Sequence, residues 1–231
     1  TGYIGAHVVK ALAERGHEVI ATDFNEEQNH IAHYCKNYYH YDIRHYNGKF
    51  VNVDKTIHIA AKTKVGPSVV DPWNYYSTNV NGTKNIMQAF DCEHFVYCST
   101  GSAFQPDASP YAGSKYAGEL ITKQFYEQNS IVRFYNVSGN DGMYKFDDEM
   151  SHLIRKAARV ANKSNGHPSM TIFGTDYNTR DGTCIRNYTH VKDIVDGLVR
   201  IVESPPSGKI DCLGAPDGVT VKEVIDTMKK V

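Results

Sequence analysis

From residue 4 to residue 136, amphipathic runs and short apolar runs take turns along the chain. Ile4, Val8, Ala11 and Leu12 recur at helical spacing, and Gly16 stops them. "HEVIATD" (17–23) reads as a buried strand, "YHYDIR" (39–44) as a second short one and "KTIHIAA" (55–61) as a third. A long helix is expected over 71–90, with Pro72 in its first turn. "HFVYCST" (94–100) and "SIVRFYN" (130–136) are further strands, with a helix opening near Tyr111 between them. Strands joined through helices need the crossovers of a parallel sheet, so the fold class expected is α/β, with a doubly wound parallel sheet. After residue 140 the pattern loosens. A helix near 148–163, a "MTIFG" strand (170–174), an irregular stretch (175–183) and "CIRNYTHV" follow, then a helix over 192–203 and a strand over 208–213. With no linker or repeat in sight, residues 1–140 are expected to form the sheet domain. Residues 141–231 are expected to form mainly a smaller lobe interleaved with it.

Composition narrows the function. The 231 residues carry 25 basic and 26 acidic side chains, and no basic run suits nucleic acid or an anionic membrane. No apolar run reaches membrane-spanning length. Cys35, Cys92, Cys98, Cys184 and Cys212 are scattered and odd in number, which fits a reduced, cytoplasmic setting. The chain opens at Thr1 inside what reads as a loop-to-helix turn, and it ends within "TVKEVIDTMKKV". A longer parent chain is therefore expected, with the first strand of the sheet upstream of Thr1.

Four stretches carry chemistry. "TGYIGAH" supplies Gly2 and Gly5, spaced as the last two glycines of a turn that brings a pyrophosphate to a helix N-terminus. Asp23 ends the next strand about 20 residues on, where a carboxylate accepts from a ribose 2′-hydroxyl, which favours NAD over NADP. The same residues also describe an ordinary Gly-rich turn. In "HIAHYCKNYYHY", His30, His33, Cys35 and His40 are ligand types, but their spacing matches no zinc framework and no metal is expected. "VYCSTGSAF" places Ser99, Thr100 and Ser102 at a strand end, where α/β folds hold their ligands, although turn chemistry favours them too. In "SPYAGSKYAGEL", Tyr111 and Lys115 are four apart and share a helix face, so the ammonium is expected to lower the phenol's pKa and fit it for proton transfer. Taken alone, the pair also describes a solvated helix face.

Together these stretches resemble the extended short-chain dehydrogenase/reductase family, whose nucleotide-binding half is Rossmann-like. The likeness runs along nearly the whole chain, through "HIAAKTKVGPSVVDPWNYYSTNVNGTKNIMQAF" and "VRFYNVSG". The most specific piece, "IFGTDYNTRDGTCIRNYTHVKDI" (172–194), is similar to the string that builds part of the uridine-diphosphate pocket in the UDP-glucose 4-epimerase family. The resemblance implies roles residue by residue. Thr100, Tyr111 and Lys115 match the catalytic set, the lysine also holding the nicotinamide ribose. Gly2, Tyr3, Ile4, Gly5 and Asp23 match the dinucleotide turn and ribose carboxylate. Asp42 and Ile43 match the adenine contacts. Ala60, Ala61, Asn79 and Phe134 fall on the cofactor side. Asn136, His152, Leu153, Phe173 and Arg186 match the sugar-nucleotide site.

The activity so implied is NAD-dependent epimerisation at C4 of a UDP-hexose through a 4-keto sugar, by a homodimer assembled through the helices at 71–90 and 110–129. Departures are Asn187 where the family has Asp, Phe104 where it has Tyr, and a short stretch between Phe104 and Tyr111. Two alternatives stand beside this reading. One is a nucleotide-sugar 4,6-dehydratase or decarboxylase, against which Gly101-Ser102 stands in place of Asp-Glu. The other is a sugar-nucleotide-binding protein that has lost catalysis.

Overall fold

The computed structural model describes residues 1–26, 30–45, 48, 51–144, 152–162 and 169–230. The chain opens with α1 (Tyr3–Glu14) and β1 (Ile20–Asp23), followed by β2 (Asn37–His40), β3 (Val51–Asn52) and β4 (Lys55–His58). Three helical pieces come next, α2 (Val65–Val70), α3 (Pro72–Tyr76) and α4 (Gly82–Ala89), with a π-helical stretch at Ser77–Asn81. Then come β5 (Phe90–Asp91), β6 (His94–Thr100), α5 (Pro110–Phe125), β7 (Asn129–Phe134) and β8 (Asn136–Ser138). The remaining elements are α6 (Leu153–Ala161), β9 (Ile185–Arg186), β10 (Tyr188–His190), α7 (Val191–Glu203), β11 (Ile210–Leu213), β12 (Val219–Thr220) and α8 (Val221–Met228).

The central sheet runs β11-β7-β6-β4, all parallel. β6 and β7 are buried along almost their whole length, because helices cover both faces of a parallel sheet. On one face Val96, Cys98 and Val132 pack against Ile194, Leu198 and Val199 of α7 and Val8 of α1. On the other, Phe95, Tyr97 and Ile131 meet Ile86, Ala89 and Phe90. β1 pairs in parallel with β2, and β3 with β5. α1 bridges the two groups of strands, since Ala6 and Val9 pack with Ala21 of β1 while Val8 faces β6 and β7. β11 and α7 bring the C-terminal part of the chain back to the sheet, and β8–β10 and β9–β12 form two small ladders beside it. No helix among the described residues is long and apolar enough to cross a membrane. All five cysteines are free.

Several elements differ from expectation. The second strand stops at His40 because Asp42 turns the chain, its Oδ1 accepting from Arg44 N at 2.9 Å. Residues 170–174 form no strand. Phe173 is 84 % exposed there, and no ladder partner lies beside it among the described strands. The helix expected over 71–90 is interrupted at Ser77–Asn81, where a π-helical turn carries Asn79 inward. The helix expected near 148–163 is found as α6, while 145–151 and 163–168 lie outside the described residues.

Candidate active site

β6 ends at Thr100, whose hydroxyl caps the following turn by accepting from Ser102 N at 3.2 Å. α5 is started by Ser109, whose Oγ accepts from Ala112 N at 3.1 Å, with Pro110 at the first helical position. Tyr111 is thereby fixed in the first turn of α5. The Thr100 hydroxyl lies near its phenol, and the Tyr75 ring packs edge-on with centroids 6.4 Å apart. Burial pushes the Tyr111 pKa up, and the nearby Thr100 hydroxyl works against that shift.

The small residues around Tyr111 have a steric reason. A Cβ on Gly118 would lie 2.0 Å from the Tyr97 hydroxyl, and one on Gly113 would lie 2.6 Å from that of Tyr76. α5 therefore sits closer to β6 than an ordinary helix face allows.

The expected approach of Lys115 to Tyr111 is not formed. Lys115 Nζ donates to Cys98 O at 2.7 Å and lies 4.3 Å from the centre of the Tyr97 ring. A buried ammonium needs an acceptor, and the strand carbonyl with the aromatic face supplies one. Burial brings Lys115 down to about 8, while Tyr111 is raised, so the predicted lowering of the phenol by this lysine is corrected.

At the other end of the site, α1 begins with no side-chain cap and no acidic residue in its first turn. The first-turn amides of Ile4 and Gly5 thus face an anion-binding position at the helix start. A Cβ on Gly2 or Gly5 would meet no protein atom within 4 Å, so packing within the protein does not demand glycine at either position. Asp23 stands beside this helix start, accepting from the Thr1 hydroxyl and from Asn25 N, each at 3.1 Å. An uncapped helix start, an open glycine cradle and a strand-end carboxylate fit the pyrophosphate and ribose of NAD. Ala60 and Ala61 lie just past the end of β4.

Other residues expected on the cofactor side are engaged by the protein itself. Arg44 binds Asp42 through Nε, at 3.0 Å to each carboxylate oxygen. Ile43 is buried against Gly82, and its carbonyl accepts from Asn85 Nδ2 at 2.8 Å. The Asn79 amide binds Lys62 N (2.8 Å), Lys62 O (3.0 Å) and Ser114 Oγ (3.0 Å), which ties the loop after β4 to α5. Phe134 lies opposite Thr100 in the β6–β7 register and packs in the core with Val8 and Val191.

Of the residues expected to bind substrate, all but Thr100 come together. Asn136, His152, Leu153, Phe173 and Arg186 all line one cavity of about 410 Å³, within the size range of small-molecule sites. Asn136 Nδ2 donates to Asn187 O at 3.0 Å. Arg186 is exposed, its Nη1 donates to Ile185 O at 2.8 Å, and no carboxylate pairs with it among the described residues. Burial lowers the pKa of His152, and the Lys64 and Arg155 charges lower it further.

Residues 1–212 match the NAD dependent epimerase/dehydratase family. The chain belongs to that family. The UDP-glucose 4-epimerase of Halalkalibacterium halodurans is 32% identical over all of this chain and 78% of its own length. The structure of the Campylobacter jejuni UDP-Glc/GlcNAc 4-epimerase matches with a TM-score of 0.75 at 27% identity, covering 99% of this chain and 80% of that one. The Brucella ovis UDP-glucose 4-epimerase, solved in complex with NAD, gives a TM-score of 0.83 at 24% identity over 100% of this chain and 80% of its own, which shows the fold.

In this member of the family, the cavity wall includes residues that sequence reasoning had not singled out. Tyr177, Tyr188 and Val221 also line it. Tyr177 folds over Gly174, whose φ of +80° and close approach to that ring, 2.4 Å from a Cβ, both demand glycine. The irregular stretch is clipped to α8. Asp181 accepts from Thr183 N at 2.9 Å and from the Thr220 hydroxyl, while Arg180 Nε donates to Glu223 at 2.7 Å. Thr220 and Glu223 in turn form the capping box of α8. Asn187 donates to Ala215 O, pinning the loop after β11. The histidines diverge: His30 packs on Tyr144, His33 on Tyr34, and His40 hydrogen-bonds Phe24 O at 2.8 Å. No cluster of three metal-ligating side chains occurs among the described residues.

Proposed function

We propose that this chain catalyses NAD-dependent epimerisation at C4 of a UDP-hexose, interconverting UDP-galactose and UDP-glucose. The observation that carries the reading is the placement of Thr100 at the end of β6 and the buried Tyr111 in the first turn of α5, in a chain that also has the α1 cradle and the cavity holding Arg186. Bound NAD supplies reversible two-electron oxidation at the sugar's C4. Thr100 hydrogen-bonds the 4-hydroxyl, and Tyr111 takes its proton and later returns it. Lys115, tied to Cys98 O on β6, would hold the nicotinamide ribose of bound NAD, the role its match to the family lysine implies. Arg186 presents a planar fork suited to a diphosphate, and Asn136 lies on the same wall. These two would hold the nucleotide while the 4-keto sugar turns to present its other face.

Assembly and location belong to the same reading. Val69 and Val70 of α2, Trp73 of α3, and Leu120 and Phe125 of α5 are exposed apolar side chains, and we assign them to a two-fold interface between copies of the chain. Five free thiols accord with a cytoplasmic setting.

The test incubates the full-length protein with UDP-galactose and no added cofactor, following anomeric proton signals by NMR. Appearance of UDP-glucose supports the proposal. Conversion to a 4-keto-6-deoxy sugar would replace it with a dehydratase. No conversion even with added NAD⁺ would leave a binding protein.

A further inference from the structure

Beneath the Thr100–Tyr111 pair lies a buried charge cluster that the mechanism above does not use. Glu119, on α5, is 1 % exposed and takes a bidentate grip from Arg133 of β7, with Nε–Oε1 at 2.7 Å and Nη2–Oε2 at 2.6 Å. The same carboxylate accepts from Ser99 Oγ at 2.5 Å. Ser99 is the residue before Thr100, and it lies directly opposite Arg133 in the β6–β7 register. Phe104, on the turn between Thr100 and Tyr111, covers the outer face of the Arg133 guanidinium at 4.3 Å.

Stability alone explains this cluster poorly. A buried ion pair costs about as much in desolvation as it returns, and apolar residues of the same volume often do as well or better. The pair offers direction instead. Apolar contact between α5 and the sheet is non-directional and tolerates sliding, whereas two parallel N–H···O bonds fix height and rotation together. Tyr111, Lys115 and Glu119 recur every four residues, so they form one stripe on α5. That stripe is bonded to β6 at consecutive residues, Lys115 to Cys98 O and Glu119 to Ser99 Oγ. The next residue of the strand is Thr100.

We propose that Ser99, Glu119 and Arg133 are positioning residues that lock α5 at one height on β6 and thereby hold the Tyr111 phenol against Thr100. The proposal rests on the epimerase reading for its kinetic consequence, but its structural content does not depend on that reading. None of the three touches the reacting atoms in this account.

Removing one charge alone would leave its partner buried and unpaired and endanger the fold. The test therefore compares the full-length wild type with Ser99→Ala and with the double replacement Glu119→Met/Arg133→Met, which keeps the buried volume. Three quantities are measured: kcat and KM for UDP-galactose, the thermal midpoint, and amide hydrogen exchange at residues 110–115. The expected result is a kcat lowered roughly 10- to 100-fold by misplacement, with KM and thermal midpoint near wild type and faster exchange in the first turn of α5. Unchanged kcat and unchanged exchange would overturn the proposal, as would a kcat that falls only in step with the folded fraction. If the double variant fails to fold, Ser99→Ala decides by the same criteria. A wild type that does not epimerise UDP-galactose would refute the epimerase reading, and the exchange data would still judge the positioning claim.

Discussion

At the edge between β6 and α5, the buried charges are paired. Lys115 and Glu119 are buried and bonded to consecutive residues of β6, and Gly118 lets the helix close onto Tyr97. The cavity near α6, β9 and α8 is built differently. Phe173 is exposed on irregular backbone and Arg186 on the two-residue strand β9, and their order comes from side chains clipped together over long sequence separations, Asp181 to Thr220 and Arg180 to Glu223. The contrast teaches that proton transfer and substrate recognition make different demands. A phenol must be placed to a fraction of an ångström, which a rigid sheet edge can do. A diphosphate carried on a flexible-ended sugar needs charge within reach, and an exposed guanidinium supplies it.

The comparison can be broken most sharply at Tyr111. Tyr111→Phe is expected to lower turnover on the order of 10³-fold while leaving UDP affinity, measured by calorimetry, as in the wild type. Near-normal turnover would take the phenol out of the mechanism. Arg186→Ala should do the reverse, weakening UDP binding by roughly 10- to 100-fold with kcat little changed. An unaltered UDP affinity would remove Arg186 from the recognition site. Gly118→Ala probes how tightly the edge is closed. With its new Cβ 2.0 Å from the Tyr97 hydroxyl, it should cost about 1–3 kcal/mol in urea unfolding. A urea midpoint equal to wild type would mean that α5 can lift freely.

The smallest effect concerns pH. His58 is buried, bonded through Nε2 to Thr83 Oγ1 at 2.9 Å, and its pKa is lowered to about 3 by burial and by the Lys115 charge. An unfolded histidine takes its proton near pH 6.5, so the unfolded state binds more protons between about pH 3 and 6.5. This contribution is complete above 6.5 and is lost progressively as pH falls through that window. Urea unfolding should show the decline already between pH 6.5 and 5, before most carboxylates titrate. A flat profile there would contradict it.

The sheet was legible because buried parallel strands read as apolar runs, and "HFVYCST" is β6 to the residue. Thr100 and Tyr111 were singled out from a strand-end hydroxyl, the Tyr/Lys spacing and the family resemblance, and they lie at the end of β6 and in the first turn of α5. What escaped depends on partners far along the chain. The turn made by Asp42 and Arg44 ends β2 early, and no strand among the described residues pairs with 170–174. The direction of the Lys115 side chain is set by a carbonyl 17 residues away, which helical spacing cannot anticipate. Val221 reaches the cavity only because α8 is clipped to the 175–183 stretch through Asp181 and Thr220, separated by 39 residues.

The central claim is that C4 is inverted by oxidation and return of the same hydrogen, with Tyr111 handling only the hydroxyl proton. The direct measurement is turnover of UDP-galactose in D₂O with NMR of the product's C4 position. The account predicts UDP-glucose carrying protium at C4, because the carbon-bound hydrogen never meets solvent. Deuterium at C4 would show that the carbon exchanges with water and would contradict the account.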